Sequence, residues 1–195
     1  CRLMCVGFES PTQDALEGVV KKTNKERQIE FMEDVRNVDL LVNGCFIMGL
    51  PGDTPQTMQL TIDFAKELMP NTAQFYPHML YPGTGSFKWA DENGYVKTKN
   101  WADWLTPDGL HNTVLELPGL TPDDLLNWSN KGRLDFYLNP KYLRKMFIQA
   151  IISPKEGIRM LISGKTFFKH LINYLLFKMG LKKNNDSQAS IAVVD

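Results

Sequence analysis

The stretch that decides the fold runs from Leu40 to Thr54 and reads LLVNGCFIMGLPGDT. Its first half is almost continuously apolar, which predicts a strand buried on both faces, as in a parallel sheet with helices on each side. A tight turn through Pro51 and Gly52 follows, and Thr54 then opens a helix. In open sheets and in α/β barrels, ligands bind at the carboxyl ends of such strands. A compact connection without any ligand would give the same turn, so this turn alone leaves both interpretations open.

Strands and helices alternate on both sides of this stretch. Alternation of this kind indicates parallel strands joined by right-handed crossovers. Three such units leave an open sheet edge, which allows either a small doubly wound sheet or half of a barrel. Because the chain starts within an apolar strand, we expect the carboxyl-terminal half of a partial (βα)6 TIM-like barrel, followed by an α-helical extension. The predicted strands are 2–7, 40–49 and 73–80, and the predicted helices are 13–22, 25–37, 54–70, 86–92, 121–138 and 142–152, with a last helical region ending near residue 179.

Four segments are predicted along the chain. Residues 1–95 form the half-barrel, and residues 96–120 form an irregular connector rich in tryptophan and proline. Residues 121–181 form a helical region, and residues 182–195 form a polar tail that we expect to be disordered.

Charge is balanced overall but unevenly distributed. The 195 residues carry 22 Lys or Arg and 22 Asp or Glu, yet residues 141–183 hold ten Lys or Arg and one Glu. Such a basic block predicts an anionic partner or an acidic surface elsewhere on the protein. Residues 158–183 mix lysines with phenylalanines and leucines. This pattern is typical of a helix docked on its own protein with solvated lysines, or of a helix lying on an anionic membrane.

The three cysteines, Cys1, Cys5 and Cys45, do not indicate a disulfide framework. A reducing, cytoplasmic compartment is therefore expected, with peripheral contact at the inner membrane face through the basic helix as a further expectation. No apolar run reaches the roughly 20 residues that span a bilayer. A metal-cluster loop would need a third cysteine where Phe8 stands, so we predict no metal ligands and expect all three thiols in the core.

Candidate binding residues follow the predicted strands. Glu9 and Ser10 could accept hydrogen bonds from a ligand on the strand ends, or could simply satisfy backbone donors in their own turn. Asp53 is explained by the dipole of the helix that follows it. His78 could line the same opening, although a lone histidine is more often a structural hydrogen-bonding group.

Taken in order, four pieces of the chain resemble the second half of a radical S-adenosylmethionine (radical SAM) core domain. They are VGFES (6–10), the lysines Lys21 and Lys22, FIMGLPGDT (46–54) and YPGTGSF (81–87). The closer likeness is to the cobalamin-binding subgroup that includes anaerobic magnesium-protoporphyrin ester cyclase-like and hopanoid-pathway enzymes. The resemblance covers residues 1–95 well and the next segment loosely.

The resemblance implies a fold and a set of ligand contacts. Barrel strands one to three would precede this chain, and its own strands would be the fourth, fifth and sixth. Seven residues at the three strand ends would contact S-adenosylmethionine: Glu9 and Ser10 its ribose and methionine portions, Ile47, Gly49 and Leu50 its adenine, and Leu80 and Tyr81 its adenine or the substrate.

The C-x3-C-x2-C loop that holds the four-iron four-sulfur cluster of such enzymes is absent from this sequence. The resemblance therefore implies the carboxyl-terminal part of a radical enzyme, inactive alone, whose cluster ligands and cobalamin domain lie in a missing amino-terminal half. Its substrate would be a small molecule, such as a lipid or tetrapyrrole, and not a nucleic acid; the catalytic residues are left open. The alternative is a non-catalytic α/β module that binds a ligand or partner. Sequence upstream of Cys1 separates the two, because a cluster loop is either present there or not.

Overall fold

A computed structural model describes residues 1–105 and 112–155, together with residues 157–159, 162, 164, 165, 169 and 172. Three strands, β1 (Leu3–Glu9), β2 (Leu41–Met48) and β3 (Thr72–Pro77), form one parallel sheet in the order β1-β2-β3. The predicted α/β class, with three parallel strands and a helical carboxyl-terminal portion, is confirmed. The helices are α1 (Gln13–Gly18), α2 (Lys25–Asn37), α3 (Pro55–Leu68), α4 (Gly85–Glu92), α5 (Pro122–Tyr137) and α6 (Pro140–Ile152), with a 3-10 turn at Trp101–Trp104.

The chain divides into two compact units. The first comprises residues 1–99 and 113–139 and contains the sheet and α1 to α5. The second comprises residues 100–112 and 140–195 and contains the 3-10 turn and α6. In the part of the chain that the structure describes, no helix is both long enough and apolar enough to cross a bilayer.

Local sequence signals account for the helix starts. Thr54 caps α3 by accepting a hydrogen bond from the Thr57 amide, and Pro55 occupies the first turn. Thr121 caps α5 in the same way, with Asp124 completing a capping box. Both starts were predicted from these residues and are confirmed.

The described residues cover one face of the sheet more completely than the other. Along β2, Val42 and Phe46 are fully buried, whereas Asn43 and Cys45 between them are half-buried. The prediction that this strand is buried on both faces is therefore wrong. Its apolar run concealed an alternation of period two, because cysteine and isoleucine stand at positions that face the less covered side.

Five phenylalanine rings form the centre of the covered face. Phe8, Phe46 and Phe75 lie side by side on the three strands, with ring centroids 5.7 and 5.2 Å apart. Phe31 of α2 contacts one end of this row, and Phe136 of α5 contacts the other. Packed aromatic pairs add about 0.5–1.5 kcal/mol each beyond burial, so this row fixes the strands relative to the helices.

The cysteines are not core residues. Cys1 and Cys5 are exposed and Cys45 is half-buried, so the prediction that all three lie in the core is wrong. β1 is an edge strand, and its register places Cys5 beside Asn43 on the less covered face. An edge position on that face leaves a thiol accessible even within an apolar run.

Candidate binding rim at the strand ends

The carboxyl ends of all three strands meet at one edge of the sheet, because neighbouring strands are parallel. A bulge between Gly7 and Glu9 shifts the register at the β1 end. We call this edge the rim. It consists of residues 9–10 at the end of β1, residues 49–53 after β2 and residues 78–81 after β3.

An ion pair stands at the β1 end of the rim. The Lys21 ammonium lies 2.7 Å from the Glu9 carboxylate and also donates to the Gly7 carbonyl at 2.6 Å. The two side chains are 34% and 16% exposed, so the pair is partly shielded from water. A Cβ on Gly7 would stand 2.4 Å from Glu9 Oε1 and 2.8 Å from Lys21 Nζ. A side chain at that position would push the tips of Glu9 and Lys21 out of this arrangement.

Left-handed backbone conformations flank the ion pair on both sides. Glu9 has φ of 63° and Val20 has φ of 57°, both in the left-handed region that side chains disfavour. The Val20 amide bonds to Glu17 O and the Lys21 amide to Leu16 O, which is the pattern of a Schellman helix end. This turn ends α1 at Gly18, four residues before the predicted end, and brings Lys21 back towards Glu9. Strain of this kind costs about 1–3 kcal/mol per residue and clusters at functional sites.

The turn after β2 is held by the Asp53 carboxylate. It accepts hydrogen bonds from the amides of Gly49 at 2.9 Å and Leu50 at 2.8 Å, and from the Thr57 hydroxyl at 2.7 Å. Burial raises the pKa of Asp53, and these three hydrogen bonds oppose the rise. Asp53 therefore bonds directly to the turn, a role that its position before the helix did not predict.

His78 fixes the same turn from β3. Its Nδ1 lies 3.1 Å from the Gly49 carbonyl, which can only accept, so Nδ1 carries the proton. Its Nε2 then accepts from the Ser86 hydroxyl at 2.6 Å, provided that the ring is neutral. Burial lowers the pKa of His78, which favours that neutral form. The interpretation of His78 as a structural hydrogen-bonding group agrees with these contacts.

The structure divides the seven predicted binding residues into two groups. Accessible side chains belong to Glu9, Ile47 and Tyr81, and buried positions are occupied by Ser10, Gly49, Leu50 and Leu80. Ser10 is fully buried, with its Oγ 3.2 Å from the Thr61 hydroxyl. Gly49 uses its N–H on Asp53 and its carbonyl on His78. The side chains of the first group are accessible to a ligand, whereas the residues of the second group are buried beneath them.

Polar side chains on the less covered face of the sheet were missed from the sequence. We call Cys5, Asn43, Cys45, Gln74 and Tyr76 the polar face. The Gln74 Oε1 accepts from Tyr76 at 2.6 Å and from Asn43 at 3.2 Å, and the two sulfurs are 3.5 Å apart. Burial is the largest cause that raises the pKa of Cys45 to about 12, so this thiol stays neutral. Alternating polar residues at 72, 74 and 76 of β3 were the signal that could have found it.

The described residues do not bring together the side chains of a metal site. No group of three or more His, Cys, Asp or Glu side chains there is placed to hold a metal ion. Cys5 and Cys45 supply two neighbouring thiols, fewer than an iron–sulfur cluster needs.

Comparison with known proteins finds sequence relatives over part of the chain, whereas no family model matches it. The chain is 32% identical over 145 residues to an uncharacterized methyltransferase of Pyrococcus horikoshii, covering 74% of this chain and 31% of that protein. It is 32% identical over 150 residues to the bacteriochlorophyllide d C-12(1)-methyltransferase of Chlorobaculum tepidum, covering 75% and 31%. It is 31% identical over 102 residues to the ribosomal protein uS12 methylthiotransferase of Leptospira biflexa, covering 49% and 22%.

Two solved structures overlap the fold weakly. Coproporphyrinogen III oxidase of Escherichia coli, described as a radical SAM enzyme, aligns with a TM-score of 0.47 at 16% identity, over 70% of this chain and 26% of that one. The radical SAM methyltransferase TsrM of Kitasatospora setae, solved with cobalamin and a [4Fe-4S] cluster, aligns with a TM-score of 0.44 at 20% identity, over 64% and 25%.

The relatives define a class at a coarse level. Part of this chain is homologous to part of a group of proteins named as methyltransferases and methylthiotransferases. The chain spans less than a third of the length of each of these relatives.

Proposed function

We propose that this chain is the carboxyl-terminal part of a radical SAM enzyme that transfers a methyl or methylthio group, and that it supplies part of the SAM-binding rim. The observation that carries the proposal is the rim, where the Glu9–Lys21 ion pair and the fixed Gly49 turn lie at neighbouring strand ends. The named activities of the sequence relatives support the type of reaction.

The side chains at the rim and next to it fit the chemistry of S-adenosylmethionine. Its methionine portion carries one ammonium and one carboxylate, and its ribose carries hydroxyls. Glu9 can accept from the ammonium or the hydroxyls, and Lys21 can pair with the carboxylate. Ile47 and Tyr81 offer partly exposed apolar and aromatic surface on which an adenine ring can pack.

The four-iron cluster of such enzymes does not fit the described residues, because they bring only two thiols together. We propose that its ligands belong to a part of the enzyme outside these 195 residues. When bound, the cluster supplies the electron that cleaves S-adenosylmethionine. The role of this chain is then to bind and orient that molecule, and no electron-transfer step is assigned to its residues.

The sheet itself fits the carboxyl-terminal half of a barrel. The polar face is half-exposed and linked by hydrogen bonds, as expected of side chains that line a barrel interior. In the part of the chain that the structure describes, β1 pairs with β2 alone, and Leu3 and Met4 on this strand are 44% and 36% exposed. A further parallel strand beside β1 would satisfy that edge and cover those side chains.

The subgroup and the substrate belong to the same proposal. We propose cobalamin as a second cofactor, held by a separate domain, and a small-molecule acceptor such as a tetrapyrrole or lipid. The bacteriochlorophyllide methyltransferase of Chlorobaculum tepidum supports the tetrapyrrole alternative, since its name specifies that substrate class.

The test uses the full-length gene product that contains this chain, reconstituted anaerobically with iron, sulfide and a reductant. We expect cluster absorbance and formation of 5'-deoxyadenosine or S-adenosylhomocysteine from S-adenosylmethionine. If the full-length protein binds no cluster and leaves S-adenosylmethionine intact, the proposal is overturned and a non-catalytic binding module is favoured.

A further inference from the structure

The second compact unit carries an exposed apolar surface along α6 and the residues that follow it. On α6, Phe147, Ile151 and Ile152 are 69%, 65% and 78% exposed. Leu143 and Ile148 are also exposed, and so are three isoleucines beyond the helix: Ile158, Ile162 and Ile172. Single exposed apolar residues are common on soluble proteins, but eight within 30 residues are typical of an interaction surface.

Positive charge is interspersed with these side chains rather than placed opposite them. Lys141 and Arg144 are exposed on α6, and the exposed cations continue along the segment with Lys155, Arg159, Lys165 and Lys169. At 100° per residue, Arg144 lies between the directions of Leu143 and Ile148 on the helix. Residues 140–172 contain seven Lys or Arg and a single acidic residue, Glu156. A partner for this surface must therefore be apolar inside and anionic at its boundary.

We propose that α6 and the described residues after it bind the surface of an anionic lipid bilayer, with Phe147 and Ile151 entering the headgroup region and the cations contacting lipid phosphates. An interfacial helix with apolar and basic side chains exposed together is the arrangement that such a surface recognises. The observation is independent of the rim, so this inference stands whether or not the radical SAM proposal holds. The expectation from the sequence concerned residues 158–183, and the exposed side chains of α6 extend it to that helix.

The anchoring side of α6 is also separable from its packing side. Tyr142 is buried, and at 100° per residue it lies on the opposite side of the helix from Phe147 and Ile151. Substitutions at the two exposed positions should therefore leave the fold of the unit intact, which makes the surface testable by mutation.

The experiment is flotation of the 195-residue chain with vesicles of neutral phosphatidylcholine, or of phosphatidylcholine with phosphatidylglycerol. We expect flotation only with the anionic vesicles, weakening as salt is raised because lipid charge is screened. The paired change Lys141→Gln and Arg144→Gln should lower the partition coefficient at least about tenfold, and Phe147→Ser with Ile151→Ser by a similar factor.

Matched controls make the same chemical changes elsewhere. Lys88→Gln with Lys99→Gln removes two cations that are 76% and 75% exposed, and Val38→Ser with Leu60→Ser removes two apolar side chains that are 71% and 52% exposed. Both controls should float like the unsubstituted chain. Flotation that is equal on neutral and anionic vesicles, or equally reduced by test and control variants, would overturn the proposal. So would a self-association of the chain that the Phe147 and Ile151 changes abolish while no vesicle binding is seen.

Discussion

The hydroxyl of Tyr137, on α5, bonds both main-chain polar groups of Ala73, on β3. It accepts from the Ala73 amide at 3.1 Å and donates to the Ala73 carbonyl at 3.0 Å. Arg133, one turn earlier, donates to the Phe75 carbonyl at 2.8 Å. Among the described residues, Ala73 and Phe75 at the outer edge of β3 are thus bonded by a helix rather than by another strand. The sheet is closed on the β3 side, while β1 retains an unpaired edge in the described chain, as expected if further barrel strands join there.

Replacing Tyr137 with phenylalanine tests this closure. The change leaves the Ala73 amide and carbonyl without their partner, which should lower the free energy of unfolding by about 1–3 kcal/mol. Burial raises the pKa of Tyr137, so the hydroxyl is protonated and both bonds persist at neutral pH. Urea denaturation measures the effect. Tyr95→Phe is the control, because Tyr95 contacts Trp89 through its ring. Equal losses in the two variants would contradict the role assigned to the Tyr137 hydroxyl.

The left-handed backbone at Val20 should be a source of strain that glycine relieves. Val20 is 80% exposed, so Val20→Gly sacrifices little packing while removing an unfavourable conformation. We expect the free energy of unfolding to rise by about 1 kcal/mol, after the entropy cost of glycine is subtracted. Val38→Gly is the matched control at the end of α2, where φ is −110° and glycine should only destabilise. A loss of stability in Val20→Gly would show that Val20 is not strained.

Two glycines in one turn separate backbone strain from steric conflict. Gly49 has φ of 90° and a Cβ there would lie 2.8 Å from Leu125, whereas Gly52 has φ of 81° and open space around it. Both alanine variants carry the conformational cost, about 1–3 kcal/mol, but Gly49→Ala adds the clash with α5. We expect Gly49→Ala to be the more destabilising by at least about 1 kcal/mol in thermal or urea unfolding. Similar values for the two variants would place Leu125 away from the turn.

Acid should weaken the fold through His78. Burial lowers the pKa of His78 in the folded chain below its usual value of 6.5, so the unfolded chain binds the proton more readily. The contribution of His78 is then complete above pH 6.5 and is lost as pH falls towards its lower folded pKa. His78→Asn, which keeps a side-chain N–H for the Gly49 carbonyl, should show a smaller fall in stability between neutral and mildly acidic pH. If His78→Asn loses as much stability between neutral and mildly acidic pH as the unsubstituted chain, the acid sensitivity belongs to other groups.

Much of the fold could be predicted from the sequence because strong local signals mark it. Thr54 with Pro55, and Thr121 with Pro122, set two helix starts, and apolar runs set the strands. The covered faces could not be predicted in the same way, because Cys45 and Ile47 are apolar residues that stand on the less covered side of β2.

The sequence predicted where the rim lies, but only some of the contacts that its residues make. The sequence indicated Glu9 because it follows a strand directly. Its ion pair with Lys21 depends on a left-handed turn at Val20, and nothing in a valine predicts such a turn. The function of Arg133 and Tyr137 depends on how α5 packs, which lies beyond local sequence patterns.

The most direct test of the central claim is the affinity of the reconstituted full-length protein for S-adenosylmethionine, measured by equilibrium dialysis for variants of the ion pair. Glu9→Gln and Lys21→Met should each raise the dissociation constant at least about tenfold, because each removes a charge-assisted hydrogen bond. Glu17→Gln, an exposed acidic position on α1, should leave it unchanged. Unaltered affinity in both ion-pair variants, with the cluster intact, would contradict the assignment of this rim to S-adenosylmethionine.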